Sequence, residues 1–596
     1  MKELEYPFDS AFIMKKRKSI KRTLLSDGTK RLKKKIAVLG GSTTNDIVSI
    51  MELFLLDAGI EPEFYQSEYA QYWQDAMFPS EELAGFAPDI VFIHTTNRNI
   101  TEFPQMTDSP EAVNAMLDKE FDRYKQMWQA LSSRFSCPII QNNFEMPLFR
   151  LMGNKDCSDY RGRENFINRL NTRFYEYSAN NGSFYINDIN YISASYGLKE
   201  WSNPLFWNMY KYALCFEAIP EFAFNTANII KSVFGKNKKA LALDLDNTLW
   251  GGVVGDDGVE HIQIGQETGV AQSYYEFQNY IKAHKDLGIL LTVCSKNDEE
   301  NALAGLKHPE GVLKPEDFII IKANWENKDR NIAETANELS ILPESIVFVD
   351  DNPAEREIVK AQLAGVKAPV MDGVENYIQT LDRSGFFEVT TFSEDDLKRN
   401  EMYKANVQRA SNLASFENYS DYLLSLEMNA VIDDFIPMYI QRITQLSNKS
   451  NQFNVTTKRY TPAEMEAVFA SSDYIRLYGK LTDKFGDNGV VSVVIGKKDG
   501  TVLNMDLWLM SCRVLKRDME FAMLDTLVQK CREQGIETIK GYYYPTAKNN
   551  MVRELYKTFG FDKISEDENG NTVWQMTVAD YENKNHVITV HPNSEQ

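Results

Sequence analysis

"KKALALDLDNTLWGGVVGDDG", residues 238–258, is the stretch on which the fold turns. An apolar run, Ala240 to Leu243, leads into Asp244 and Asp246, then Asn247-Thr248, then a loop heavy in glycine. A run of four apolar residues bounded by turn signals reads as a buried strand. Two carboxylates one residue apart at its end have three readings: a calcium loop, a strand end facing water, or a phosphoryl-transfer nucleophile beside its proton donor. An EF-hand is excluded, because "DLDNTLWGGVVG" follows a strand and has no Glu at its twelfth position.

Working outward, residues 236–385 alternate strand and helix. The strands are "ALALDLD", "ILLTVCS", "DFIII" and "SIVFVDD". Such alternation predicts a doubly wound parallel sheet, in which the loops at the carboxyl ends of the strands face one crevice. Those ends carry Asp244 and Asp246, Ser295, Lys328, and Asp350 with Asp351. Asp244 is placed to attack phosphorus and form an aspartyl-phosphate. Asp246 is the candidate to protonate the leaving oxygen and then activate water. Ser295 and Lys328 would hold the equatorial oxygens. Asp350 and Asp351, with Asp244 and Asp246, make the oxygen-rich shell that Mg²⁺ prefers. Any one acid at a strand end commonly just faces solvent; four strand ends in order are hard to dismiss.

This set resembles the haloacid dehalogenase (HAD) superfamily of phosphatases, whose motif is DxDx[TV]. Thr248 to the helix starting near Ala271, and Ser295 to Lys328, leave no room for a large cap domain. The expectation is an open crevice suited to a bulky or protein-borne phosphorylated substrate.

The segment 1–235 also alternates strand and helix. "KKIAVLGGSTTND" reads as a strand, a Gly40-Gly41 turn and a helix capped by Ser42 or Thr43. "DIVFIHTTN" and "CPIIQNN" are further strands, with a helix over 111–135 between them. A helix over 163–181 precedes the extended stretch "SFYINDINYI". The segment 386–596 opens with a helix-rich connector. It continues in a hairpin whose turn is Lys498-Asp499-Gly500, followed by alternating helices and strands, which suggests a small α+β domain. The fold expected is α/β in three domains: 1–235, 236–385 and 386–596.

"NTLWGGVVGDDG", "VFVDDNPAERE", "LSNKSNQFNVTTKRY", "DKFGDNGVVSVV" and "MSCRVLKRDME" resemble the FkbH-like family. The resemblance implies a phosphatase and glyceryl transferase that takes the acyl group of 1,3-bisphosphoglycerate, removes the other phosphate, and passes a glyceryl thioester to a phosphopantetheine-bearing acyl carrier protein. Cys512 is then the candidate thiol. It is expected at a strand-to-helix junction with Arg513, Lys516 and Arg517 nearby, where a helix N-terminus and cations would favour the thiolate; the bland reading is a small residue filling that junction. "NNMVRELYKTFGF" resembles the late helix of the GNAT acyltransferase fold. The glycine loop that would bind pyrophosphate is missing, however, so Arg513 and Arg517 are candidates to grip a phosphate or a phosphopantetheine arm instead. "VLGGST" resembles the first block of SGNH hydrolases, with Ser42 in the nucleophile position and Asn97 in the oxyanion-hole position. No histidine lies between His94 and His261, so the usual Ser-His partnership is not available. A docking or substrate-binding role for this flavodoxin-like domain is the favoured reading, with His94 structural.

A net charge of -20 argues against nucleic-acid binding, despite the basic block between Lys15 and Lys35. No apolar run approaches membrane-spanning length, and the start carries no secretory signal. Six cysteines without CxxC spacing fit reduced thiols in a cytoplasm, neither a zinc site nor a disulfide framework. Two alternatives to the enzyme stay open: a scaffold that organises a biosynthetic complex with weak or no turnover, and N-acylation of a sugar or amine through the C-terminal domain.

Overall fold

The computed structural model of the chain describes residues 1–413, 416–546 and 548–593. It divides into two compact units, Met1–Phe234 with Thr461–Glu464, and Gly235–Tyr460 with Met465–Gln596. Among the described residues no helix is long and apolar enough to cross a membrane.

The first unit is built on five parallel strands, β1 (Leu32–Gly40), β2 (Ile60–Gln66), β3 (Ile90–His94), β4 (Ile139–Asn142) and β5 (Phe184–Asn187), in the order β2-β1-β3-β4-β5. The two-residue period of β1 sorts its side chains between two cores. Ile36 and Val38 pack with helices Ser10–Ser26, Asn45–Asp57 and Ile219–Val233. Ala37 and Leu39 pack with helices Pro110–Phe135 and Arg163–Ala179. A sheet covered on both faces explains why β3 reads as an uninterrupted apolar run. Two local expectations are corrected. The helix after β1 starts at Asn45 with Thr44 at its N-cap, so neither Ser42 nor Thr43 caps it. The stretch 183–192 is a strand only to Asn187; the Asp188 side chain accepts from the Tyr191 amide and starts a helix, Ile189–Tyr196.

The second unit contains two sheets. The first has four parallel strands, β6 (Ala240–Leu243), β7 (Leu290–Ser295), β8 (Ile320–Ala323) and β9 (Ile346–Val349), ordered β8-β7-β6-β9. Leu241, Leu243, Leu291, Val293, Val347 and Val349 face Phe277 and Ile281 of helix Gly269–Asp286. Ala240, Ala242, Leu290, Ile346 and Phe348 face Ile332 and Ala336 of helix Lys328–Glu338. Each fully buried aliphatic or phenyl side chain in such a layer contributes roughly 1.5–3 kcal/mol. Between β6 and helix Gly269–Asp286 the described chain forms only a four-residue helix, Val254–Asp257, and a turn, Val259–His261. Helix Glu299–Leu306 and β8 fill the span from Ser295 to Lys328.

The other sheet is mixed. It holds β10 (Met428–Asp433), β11 (Phe453–Asn454), β12 (Tyr474–Asp483), β13 (Gly486–Asp499), β14 (Val502–Met510), β15 (Thr538–Tyr543), β16 (Asp562–Glu566), β17 (Thr572–Thr577) and β18 (Ile588–His591). The β13–β14 hairpin turns at Gly500-Thr501, with Gly500 at φ 59°, one step later than its sequence suggests. Strands β14 and β15 pair in parallel only from Val502 to Asn504 and then diverge. The chain fills that gap itself: β11 pairs with β14, the Val455 amide donates to the Trp508 carbonyl at 3.1 Å, and the Tyr544 amide donates to the Val455 carbonyl at 2.9 Å.

Candidate active site

At the carboxyl edge of the four-stranded sheet, β6 ends one residue before Asp244, whose amide donates to the Val349 carbonyl of β9. The chain then turns sharply. Asn247 takes φ 54°, a left-handed conformation that asparagine tolerates better than most residues. Its carbonyl accepts from the Tyr274 and Tyr377 hydroxyls at 3.2 and 3.1 Å. The turn leaves the two acids in different surroundings.

Asp244 faces a cation. Lys328 Nζ lies 2.9 Å from Asp244 and 2.5 Å from Asp350, all three side chains largely or wholly buried. Asp244, Asp350 and Asp351 each offer an oxygen within 4.8 Å of the others. Burial, and then the neighbouring Asp244, raise the Asp350 carboxyl above its usual range, and the same causes raise Asp351. Burial works to lower Lys328, but Asp244 and Asp350 outweigh it and hold the ammonium above its ordinary range. One lysine thus stands among three crowded carboxylates. Crowded anionic oxygens with too little positive charge suit a hard divalent cation, so the residues present fit Mg²⁺.

Asp246 stands outside that cluster. One of its oxygens accepts from Trp250 Nε1 at 2.9 Å and from the Val254 amide at 3.0 Å; the other accepts from Asn297 Nδ2 at 2.9 Å. Burial leads the causes that raise its carboxyl above the usual range, so it keeps a proton more readily than an exposed acid. Ser295 closes β7, buried at the same edge. Asn297, Trp250 and Val254 were not singled out from the sequence. Only Trp250 and Val254, four and eight residues beyond Asp246, lie near enough in the chain to have been suspected. Thr248 and Arg356 complete the frame: the Asp351 amide donates to Thr248 Oγ1 at 3.2 Å, and Arg356 Nη1 donates to the carbonyls of Asp350 and Asp351 at 2.6 and 2.7 Å.

The other candidates lie apart from this group. Cys512 sits in a short turn, Cys512–Val514, while the next helix starts only at Met519. The thiol therefore has no helix N-terminus beside it. Its sulfur lies 3.3 Å from the Tyr403 hydroxyl and packs beside Val407 against the β6–β9 core. Arg513 turns inward onto Met402 and Ser511. Arg517 pairs with Asp483 at 3.0 Å and donates to the Arg513 carbonyl at 2.7 Å. Both guanidinium groups are thus held by the protein's own groups. The helix Met519–Glu533 begins with Asp518 and Glu520, the latter pushed up to about 7 by burial, so its N-terminus presents acids where a pyrophosphate would need open amides. Cys294, by contrast, lies beside the site: it precedes Ser295 in β7, its thiol donates to the Lys328 carbonyl at 3.6 Å, and burial raises that thiol.

In the first unit Ser42 Oγ is buried without a hydrogen-bond partner, and so is His94 Nε2. The Thr43 amide and hydroxyl donate to the carbonyls of Lys211 and Tyr210 at 3.0 and 2.7 Å. His94 Nδ1 meets Asn142 Nδ2 at 2.8 Å, at the end of an amide chain running from Asn225 through Asn187. An amide, not a carboxylate, thus stands behind the ring, and burial lowers the imidazole to about 3. Asn97 Nδ2 donates to the carbonyls of Glu145 and Met146 at 3.2 and 3.4 Å.

Residues 35–231 match the family described as FkbH, N-terminal domain. A crystal structure of the N-terminal part of the protein BF1531 from Bacteroides fragilis, containing a phosphatase domain complexed with Mg, is 31% identical, with a TM-score of 0.59. The match covers 63% of this chain and 99% of that one. The ribosomal-protein-S18-alanine N-acetyltransferase from Escherichia coli is 10% identical over 26% of this chain and 99% of its own, with a TM-score of 0.21. A phosphinothricin acetyltransferase from Sinorhizobium meliloti is 16% identical over 25% of this chain and 88% of its own, also at 0.21. Likenesses this low carry no argument. No curated protein matches the chain.

Proposed function

The chain belongs to the FkbH-like family, and from that premise we propose that it is a Mg²⁺-dependent HAD-type phosphohydrolase working through an aspartyl-phosphate on Asp244. The observation that carries the reading is the split between the two acids: Asp244 lies against Lys328 and the carboxylate cluster, and Asp246 is held apart with its carboxyl raised.

In the proposed reaction Asp244 attacks phosphorus while the bond to the leaving oxygen breaks. Asp246 delivers its proton to that oxygen. The same carboxylate then takes a proton from water, whose oxygen attacks phosphorus; the aspartyl–phosphorus bond breaks, and inorganic phosphate leaves with Asp244 restored. Lys328 and Ser295 hold the phosphoryl oxygens as charge builds on them. Asp244, Asp350 and Asp351 would hold Mg²⁺, which when bound supplies Lewis-acid polarisation of the phosphoryl group. General acid–base work of this kind is worth about 10²–10⁴ in rate. Asp246→Asn therefore slows turnover by that range yet leaves nucleophile and metal set intact. A mass increase of one phosphoryl group on Asp244 is the expected signature after quenching in acid. An Asp246→Asn chain with wild-type turnover refutes the assignment.

We infer further that the substrate is of the phosphoglycerate type and that its acyl group passes to the phosphopantetheine thiol of an acyl carrier protein. Family membership supports this, as does a crevice without a cap domain, which leaves room for a carrier-borne group. The test is to incubate the chain with Mg²⁺, 1,3-bisphosphoglycerate and a candidate holo carrier protein and to weigh the carrier. A glyceryl mass increment is expected. Phosphate release with no increment reduces the activity to hydrolysis alone. Cys512→Ser abolishes any covalent acyl-enzyme if that thiol is the intermediate carrier; labelling retained in the variant rules it out.

A further inference from the structure

Trp325 is 70% exposed, although it lies three residues before the buried Lys328. It is also fixed in place. Its Nε1 donates to Asp298 Oδ1 at 2.9 Å, which ties the loop after β8 to the loop after β7. A second bond between the same loops runs from the Asn324 amide to the Ser295 carbonyl at 3.2 Å. The two loops carry Ser295, Asn297 and Lys328, three of the groups that address the reacting phosphate and its acid. An indole with its polar atom satisfied and its apolar face bare, anchored between these loops, is placed to meet a substrate rather than to fill a core.

The charges around it are one-sided. Residues 244–268, the whole connection after β6, contain neither Lys nor Arg. That connection exposes Asp256, Asp257 and Glu260, and the loop after β7 exposes Asp298, Glu299 and Glu300. The cations on these loops are already engaged. Lys296 pairs with Glu355 at 2.6 Å, and Lys328 serves Asp244 and Asp350. Arg330, one turn into the following helix, pairs with Glu326 at 3.1 Å. A cleft lined by one sign of charge repels a second charge of that sign.

We infer that Trp325 is the platform on which the leaving group lies, and that the mouth selects phosphomonoesters whose leaving group carries no second negative charge. This rests on the phosphohydrolase reading and narrows its substrate class. A phosphoglyceryl unit meets the condition once its carboxyl is bound as an ester or thioester; free 3-phosphoglycerate does not.

The test uses the full chain with Mg²⁺ and two matched pairs: glycerol 3-phosphate against 3-phosphoglycerate, and benzyl phosphate against ethyl phosphate. Wild type is expected to favour glycerol 3-phosphate at least tenfold in kcat/KM at low salt, with the gap closing as salt screens the mouth. Trp325→Ala raises the KM for benzyl phosphate about fivefold or more beyond any change it makes for ethyl phosphate; Trp325→Phe, which also lacks the bond to Asp298, restores benzyl phosphate. Equal use of the charged and uncharged pair, or an unchanged KM in Trp325→Ala, overturns the inference while leaving the phosphohydrolase standing. If wild type hydrolyses none of the four, the phosphohydrolase reading itself has failed. Calorimetry of the Asp244→Asn chain with benzylphosphonate and ethylphosphonate then decides the platform without turnover: equal affinities refute it.

Discussion

Replacing Lys328 with methionine removes the one positive charge among the crowded acids and nearly keeps the side-chain volume. The ammonium stands 2.9 Å from Asp244 and 2.5 Å from Asp350, with the lysine side chain 4% exposed. Deleting one partner of a buried ion pair costs about 3–5 kcal/mol, because the remaining charge is left without compensation. Methionine fills most of the space, so little of that loss comes from a cavity. The β6–β9 sheet belongs to a compact unit larger than the roughly 150–250 residues for which about 2–4 °C per kcal/mol holds, so the transition of that unit should fall by several degrees in chelator. Saturating Mg²⁺ should return part of the loss, since a ligand at about 100 times its Kd adds about 2.7 kcal/mol. The kinetic loss is separate: a missing donor to the phosphoryl oxygens costs about 10²–10³ in kcat. Differential scanning calorimetry with chelator and with Mg²⁺, beside steady-state hydrolysis, reads both effects. A Lys328→Met chain that melts with wild type in chelator, or turns over at the wild-type rate, refutes the charge arrangement.

A Cβ added at Gly305 would meet the Trp250 ring at 2.8 Å, so Gly305→Ala should displace the indole that holds Asp246. Hydrolysis should fall by about tenfold or more, with destabilisation of about 1–3 kcal/mol from overpacking; unchanged kcat and Tm would count against the strut. In the first unit two buried groups titrate in opposite senses. His94 falls from 6.5 to about 3, so its contribution is present above pH 6.5 and lost on acidification, whereas burial raises Glu145 from 4.5 to about 7, so its contribution is lost as pH rises through that window. Between pH 4.5 and 6.5 the two slopes, each about 1.4 kcal/mol per pH unit, should cancel. Urea unfolding should find Glu145→Gln gaining stability with rising pH relative to wild type, and His94→Gln losing it; parallel curves would refute the assignment.

The parallel sheets were legible because β6, β7 and β9 are short apolar runs that stop at polar residues. The strand-end acids could be placed from that alone. What holds Asp246 was not legible, since Asn297 lies 51 residues away and only the tertiary fold brings its amide to the carboxylate. The surroundings of Cys512 escaped for two reasons. Its neighbour Tyr403 is 109 residues distant, and Lys516 and Asp518 take φ of 63° and 58°, which delays the helix that a continuous reading starts earlier. Ser42 misled in a similar way, because serine favours N-caps on average, but here the chain runs on to Thr44 before the helix starts. Asp188 shows the opposite case: its β-forming neighbours give the stretch an extended pattern, and the side chain caps a helix within it.

The proton chemistry of the phosphatase crevice draws on the same apolar layers that hold its sheet together. Asp350 follows directly on Val349 and is itself fully buried, and Asp244 follows Leu243, so each carboxylate is the first polar group past a strand packed on both faces. Burial is the largest cause of the raised carboxyls of Asp246, Asp350 and Asp351 alike. The proposed reaction would use that one cause in two ways. At Asp246, where an amide, an indole and an asparagine are the partners, it favours the protonated acid the leaving group needs. At Asp350 and Asp351, beside Asp244, it makes an unmatched group of anions that a divalent cation relieves. The donors to Asp246 themselves favour its ionised form and burial outweighs them, so what separates it from the proposed metal ligands is its place outside the group that Lys328 holds.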